Sequence, residues 1–82
     1  MKLRKLDMVD LMLLSILGQD KKMCEAAKIL NISRPAVTSR IYKIEKILGS
    51  IITRDTRTRS LTELGALAAA LSSDCLDILE KI

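Results

Sequence analysis

Residues 26–41 read AAKILNISRPAVTSRI, and this stretch decides the fold. Ala27 is small enough for two helices to cross closely, and Asn31 tolerates the left-handed conformation that ends a helix abruptly. Ser33 is a favoured N-cap residue, and Pro35 falls in the first turn that follows, where its missing N–H costs nothing. The stretch therefore predicts a helix, a short turn and a second helix.

The second predicted helix has two chemically different sides. Apolar residues at helical spacing form the side that we expect to be buried, namely Val37, Ile41, Ile44 and Leu48. Basic residues and hydroxyls occupy the remaining surface, namely Arg34, Thr38, Ser39, Arg40 and Lys43. This arrangement is typical of a helix-turn-helix whose second helix enters the major groove of DNA.

Positive charge is concentrated in the middle of the chain. The net charge of the whole chain is +4. Residues 28–59 contain eight basic and two acidic residues, whereas residues 62–82 contain one basic and four acidic residues. Solvated side chains on ordinary helices are the alternative explanation. The spacing of the basic residues beside the turn nevertheless favours a surface that binds a polyanion.

The composition indicates one small, mainly helical domain. The chain has 82 residues, of which 49% are hydrophobic, and Tyr42 is the only aromatic residue. The core must therefore consist of aliphatic side chains, which suit helices better than sheets. Such a core is thin for a chain of this length, and a dimer would bury more apolar surface.

Several classes of function are excluded by what the sequence does not contain. There is no histidine, and Cys24 and Cys75 do not form a CxxC motif, so we expect no metal site and no cofactor. Neither cysteine has a nearby candidate base, which argues against an enzyme. We find no signal peptide, and the apolar run at residues 11–17 is too short to span a bilayer. We therefore expect a soluble, reduced, cytoplasmic protein with no membrane contact, associated with the nucleoid when it is bound to DNA.

Flanking signals predict the other elements of this domain. A first helix starts after the N-cap Asp7 and ends at Gly18, a second covers residues 23–30, and a third covers residues 34–48. The first helix buries the side that carries Val9, Leu13, Leu14, Ile16 and Leu17. Residues 50–61, SIITRDTRTRSL, favour two short strands around a turn near residues 55–58. This β-hairpin resembles the wing of a winged helix, with Arg54, Arg57 and Arg59 at its tip; an irregular loop is the alternative.

A fourth helix follows the N-cap candidate Thr62 and extends to the end of the chain. Its apolar residues alternate at steps of four and three, as in a coiled-coil seam: Leu64, Ala68, Leu71, Cys75, Ile78 and Ile82. We predict that this seam is the interface of a homodimer. The alternative is a terminal helix that covers only its own core. The domain boundaries are then a DNA-binding domain at residues 1–61 and a dimerisation helix at residues 62–82.

Three motifs in this order resemble the N-terminal DNA-binding region of LysR-type transcriptional regulators. They are EAAKILNISRPAVTSRI at residues 25–41, IEKILG at residues 44–49 and LTELG at residues 61–65. The resemblance covers residues 6 to about 82. It implies a mainly α fold, a winged helix-turn-helix of three helices and a short β-hairpin, followed by a long helix that dimerises antiparallel with its copy. The expected protein is a prokaryotic transcription regulator.

The resemblance also assigns roles to individual residues. Base edges would be contacted by Arg34, Pro35, Thr38 and Ser39. Phosphates would be contacted by Ser33, Arg40, Lys43 and Arg54, with Arg57 and Arg59 in the wing. The partners implied are double-stranded DNA carrying an inverted repeat and a second copy of the chain.

This chain departs from the family pattern at several positions. The family usually has Gln at the position of Arg34, and Arg favours the O6/N7 edge of guanine. Lys21 and Lys22 replace the usual Gly-Ser, so Asp20 must cap the second helix or that helix starts weakly. Family members carry a larger effector domain, and we expect this chain to be a fragment or a free-standing version without it. Two other hypotheses remain open: an interaction module that heterodimerises with a larger regulator, and a MarR-like or ModE-like winged-helix module.

Overall fold

The computed structural model describes residues 2–53 and 60–82. They form a short 3₁₀ helix at Lys2–Lys5 and four α-helices: α1 at Met8–Gly18, α2 at Met23–Leu30, α3 at Arg34–Leu48 and α4 at Glu63–Glu80. The predictions of a mainly helical fold and of these four α-helices are confirmed. The 3₁₀ helix was not predicted.

Side-chain caps fix where three of the α-helices begin. The Asp7 carboxylate accepts from the backbone N–H of Asp10 at 2.9 Å, and the Asp10 carboxylate accepts from the backbone N–H of Asp7 at 3.0 Å. Ser33 Oγ accepts from the N–H of Ala36, and Thr62 Oγ1 accepts from the N–H of Gly65. All three caps were predicted, and each satisfies an N–H that would otherwise lack a partner in the first turn.

The start of α2 lacks a side-chain cap from the preceding residue. Lys22 occupies the N-cap position, and its own backbone N–H donates to the Glu25 carboxylate at 3.2 Å. Asp20 does not cap the helix and instead adopts a left-handed backbone conformation with φ of 64°. Asn31 also adopts the left-handed conformation, with φ of 56°, and ends α2 as its position in the sequence predicts.

Helix α1 lies in the centre of the molecule and contacts α2, α3 and α4. The core is wholly aliphatic and comprises Leu13, Leu14, Ile16, Leu17, Ala26, Ala27, Val37, Ile41, Ile44, Ile51 and Ile52. Val9, predicted to be buried with them, is only partly buried. Because the apolar side of α3 packs into this core, the core determines which side of α3 faces outward.

The segment after α3 returns to the body of the protein in an extended conformation. Ile52 and Leu61 form an antiparallel β-bridge, and the N–H of Thr53 donates to the carbonyl of Ser60 at 2.8 Å. The Glu45 carboxylate accepts from the N–H of Ile51 at 3.1 Å and ties this segment to α3. The turn predicted near residues 55–58, with Arg54, Arg57 and Arg59, lies outside the described residues, so the predicted wing stays a prediction.

Helix α4 packs on the rest of the domain through its smallest side chains. Gly65, Ala69 and Ser72 form its buried side, and the Ser72 hydroxyl donates to the carbonyl of Ala68 at 2.7 Å. A Cβ on Gly18 of α1 would lie 2.7 Å from Cβ of Ala69, which shows how closely the two helices approach. Across residues 2–53 and 60–82, none of the helices has the length and apolar character that crossing a bilayer requires.

Candidate nucleic-acid interface

The outward side of α3 gathers the residues that were predicted to contact base edges. Arg34, Pro35, Thr38 and Ser39 are all exposed, and Tyr42 is 56% exposed one turn further along. We call these five residues the outer face of α3. Val37 and Ile44 of the same helix are completely buried. The helix is therefore held by its apolar residues while its outer face is exposed to solvent.

The N-terminal end of α3 carries features that favour an anion. Ser33 is exposed and caps the helix, whose first turn adds a positive end of the helix dipole. Arg34 lies on the rim of a cleft of about 950 Å³. Lys21 and Lys22 line the same cleft, and the base of the 50–61 segment closes its other side.

Lys21 and Lys22 were missed as candidate site residues. Sequence reasoning treated them only as a departure from the family pattern at the start of α2. The structure instead places them in the lining of the same cleft as Arg34, so this cleft carries basic side chains from α3 and from the start of α2. Two consecutive lysines just before a helix-turn-helix were the signal that could have found them.

Arg40 and Lys43 have a different environment from the other candidate residues. Arg40 Nη1 donates to both carboxylate oxygens of Asp7, at 2.9 and 3.0 Å, and to Oδ1 of Asp10 at 3.0 Å. Lys43 Nζ lies 2.5 Å from Oδ2 of Asp10 and 3.7 Å from Oδ2 of Asp7. We call these four residues the α1–α3 charge cluster. Its two cations are balanced by two carboxylates within the chain.

The charge cluster is only partly open to solvent. The side chains of Arg40 and Lys43 are 27% and 37% exposed, that of Asp7 is 52% exposed, and that of Asp10 is completely buried. No buried side-chain nitrogen or oxygen in the described residues lacks a hydrogen-bond partner. Asp10 is therefore a buried carboxylate whose charge is compensated by Arg40 and Lys43, and sequence reasoning placed neither carboxylate near α3.

The cluster changes the pKa of Asp7 and that of Arg40. The hydrogen bond from the backbone N–H of Asp10 is the main reason why the pKa of Asp7 falls to about 2. Partial burial opposes this shift, and Arg40 and Lys43 add to it. The pKa of Arg40 is raised, chiefly by its hydrogen bonds to Asp7. Both side chains therefore stay charged throughout the physiological pH range.

A second exposed surface runs along α4, away from α1. Most residues of the predicted seam lie on it: Leu64, Leu71, Cys75, Ile78 and Ile82 are exposed, with Leu71 60% and Ile78 62% exposed. Ala68 is the exception, because it is partly buried against the core. Leu67, which is 57% exposed, widens the stripe. Large apolar side chains thus face outward while the small ones face α1.

Side chains that commonly bind metal ions are dispersed over the described part of the chain. In residues 2–53 and 60–82, no three side chains of His, Cys, Asp or Glu come together in a way that could hold one. Cys24 is partly buried, Cys75 is exposed, and both are free thiols.

A helix-turn-helix with an exposed, basic second helix defines a DNA-binding transcription regulator. Residues 8–66 match the family described as bacterial regulatory helix-turn-helix proteins of the lysR family, so the chain belongs to that family. This membership, which the sequence motifs predicted, indicates a regulator rather than an enzyme.

The fold is also found in a solved structure. The chain is similar to full-length OxyR C199D from Pseudomonas aeruginosa, with a TM-score of 0.82 and 23% sequence identity. The similarity covers 93% of this chain and 26% of that one, so this chain spans about a quarter of the length of its structural relative. At this identity the likeness shows the fold alone. A comparison with curated protein sequences gave no significant match.

Proposed function

We propose that the chain binds specific double-stranded DNA as a homodimer and regulates transcription in the cytoplasm of a prokaryote. The observation that carries the proposal is the outer face of α3. Its four candidate base-reading residues are all exposed, whereas Val37 and Ile44 of the same helix are completely buried. A rigid helix that presents polar side chains on its N-terminal half matches the way recognition helices enter the major groove.

Each of the four candidate base-reading residues has a proposed role in this complex. Arg34 reads guanine through its O6 and N7 atoms, and Thr38 and Ser39 contact neighbouring base edges. Pro35 offers an apolar contact to a thymine methyl group. Ser33 contacts phosphate at the start of α3, as do Arg54, Arg57 and Arg59 of the predicted wing. For Arg40 and Lys43, phosphate contact depends on the carboxylates that hold them in the charge cluster.

The proposed dimer forms through the exposed stripe of α4. Leu64, Leu71, Cys75, Ile78 and Ile82 present a continuous apolar surface that has no cover within the described residues. A second copy of α4 would cover it and place two α3 helices roughly 34 Å apart on one side of the duplex. The expected target is therefore an imperfect inverted repeat.

Selection of bound duplexes from a random pool tests this proposal most directly. We expect an enriched inverted repeat whose half-sites lie about one helical turn apart. Fluorescence anisotropy on the enriched site then gives the salt dependence, with a log–log slope of roughly −0.9 per phosphate contact. The matched control is Lys81→Ala, which removes one exposed positive charge far from α3 and should leave affinity almost unchanged.

The result of that selection also distinguishes the proposed DNA-binding homodimer from the interaction module. The α4 stripe equally fits the corresponding helix of a longer regulator, and the chain would then act as an interaction module. In that case the pure chain would enrich no duplex at all, whereas a mixture with the longer protein would form a heterodimer. Failure of the pure chain to bind any duplex in dilute salt would refute the proposed function.

A further inference from the structure

Two carboxylates at the start of α1 bind two cations of α3. Asp7 and Asp10 hold the side chains of Arg40 and Lys43, which belong to the proposed recognition helix. A carboxylate and a phosphate bind Arg and Lys through the same charge-assisted hydrogen bonds. Within the free chain, these two cations therefore already have anionic partners.

The two cations are held with different strength. Arg40 makes three hydrogen bonds, two to Asp7 and one to the buried Asp10, and its side chain is only 27% exposed. Removing it would leave a buried carboxylate with less compensation, which is costly. Lys43 is more exposed and lies 2.5 Å from Oδ2 of Asp10 and 3.7 Å from Oδ2 of Asp7, but its nitrogen is a point charge that can exchange partners without a fixed geometry. Lys43 is thus the cation that can leave the cluster.

We propose that Asp7 is a positioning residue for DNA binding: it keeps Lys43 in the charge cluster and so limits the phosphate contacts that α3 makes. This inference rests on the proposed function. With two carboxylates and two cations, the cluster has no excess charge. Without the charge of Asp7, one carboxylate is shared by two cations, and the repulsion between them frees Lys43 to reach a phosphate.

Asp7→Asn tests this inference with little effect on the fold. Asn is as good an N-cap residue as Asp, so the hydrogen bond to the N–H of Asp10 is retained while the charge is lost. The matched control is Asp20→Asn. This substitution removes one exposed carboxylate next to Lys21 in the sequence. Asn also tolerates the left-handed backbone conformation of residue 20. Both variants add one unit of positive charge near the proposed interface, but only Asp7→Asn opens the cluster.

The measurement is the affinity for the enriched duplex as a function of salt. We expect the slope of Asp7→Asn to be steeper than that of Asp20→Asn by about 0.9, one additional phosphate contact. A fourfold rise in salt then weakens Asp7→Asn roughly 3.5 times more than the control. Adding Lys43→Gln to Asp7→Asn should remove this difference.

Two outcomes would overturn the inference while the proposed function stands: equal slopes for the two Asn variants, or a steeper slope that persists in the double variant. A circular dichroism melt of each variant shows that the fold is retained, and Asp7→Ser, which also keeps an N-cap oxygen, should reproduce the steeper slope. If the wild-type chain binds no duplex, the proposed function fails and this inference falls with it.

Discussion

Replacing Gly65 with alanine should destabilise the protein although it improves helix propensity. Gly65 is buried in the first turn of α4, where the helix passes over the backbone of Ile51. A Cβ at this position would overlap the carbonyl oxygen of Ile51 and lie 3.0 Å from its carbonyl carbon. That oxygen already accepts from the N–H of Thr62 at 2.9 Å, and Ile51 is completely buried, so neither can move aside easily.

The expected size of the effect follows from two opposing contributions. Alanine is favoured over glycine inside a helix by about 1 kcal/mol. Overpacking typically costs about 1–3 kcal/mol, and contact with a fixed backbone rather than a rotatable side chain places Gly65→Ala at the upper end. We expect a net loss of about 2 kcal/mol in the free energy of unfolding, because the steric cost exceeds the propensity gain.

Urea denaturation followed by circular dichroism measures this loss. With a denaturant slope of about 1 kcal/mol per molar, the unfolding midpoint should fall by about 2 M. All samples must be compared at one protein concentration, because dimerisation would otherwise alter the apparent stability.

The control is Ala66→Gly, one residue further along on the exposed side of α4. It should lose about 1 kcal/mol through helix propensity alone. If propensity governed both sites, the two substitutions would shift the midpoint in opposite directions. A midpoint for Gly65→Ala at or above that of the wild type would refute the steric argument.

Four other predictions concern binding, assembly and pH. Arg34→Ala should cost about 1–3 kcal/mol of DNA-binding free energy and relax preference at one base pair, as repeated selection would show; a uniform loss on all sequences would instead make Arg34 a phosphate contact. Arg57→Ala should weaken all sites together and flatten the salt slope, and an effect confined to one base pair would contradict a role in the wing. Leu71→Asp should convert the dimer to monomer in sedimentation velocity, whereas the equally drastic Leu3→Asp at an exposed position outside α4 should not; a wild-type monomer would refute the proposed interface. Ionised Asp7 should stabilise the fold by about 1 kcal/mol or less, because the side chain is half exposed to solvent. Its pKa is depressed from 3.8 to about 2, so this contribution is complete above pH 4 and is lost as pH falls toward 2. The melting temperatures of the wild type and Asp7→Asn should therefore converge as pH falls from 4 toward 2. A difference that stays constant would contradict a stabilising role of the Asp7 charge.

The α-helices of this protein could be predicted because their signals are local. Ser33 and Pro35 define the start of α3, and Asn31 ends α2, through conformational preferences that act within a few residues. The exposed side of α3 follows from the same periodicity, since Val37 and Ile44 had to face the core. The exposure of the candidate base-reading residues could therefore be predicted without knowledge of any tertiary contact, whereas their proposed role comes from the family resemblance.

The charge cluster could not be predicted, because it joins residues about thirty positions apart in the chain. Asp10 reads as an ordinary first-turn carboxylate, and only the packing of α1 against α3 buries it beside Arg40. The buried side of α4 was also obscure. Its large apolar residues were assigned to a dimer seam, and the sequence did not indicate that Gly65, Ala69 and Ser72 form the buried side of the helix.

The placement of Tyr42 makes this protein easy to observe by optical spectroscopy. It is the sole aromatic residue of the chain. The core is aliphatic and therefore contains no side chain that absorbs or emits in the near ultraviolet. Ultraviolet emission therefore arises from the surface of α3 alone. A titration with duplex should quench or shift that emission without any attached dye, while loosening of the interior leaves it largely unchanged.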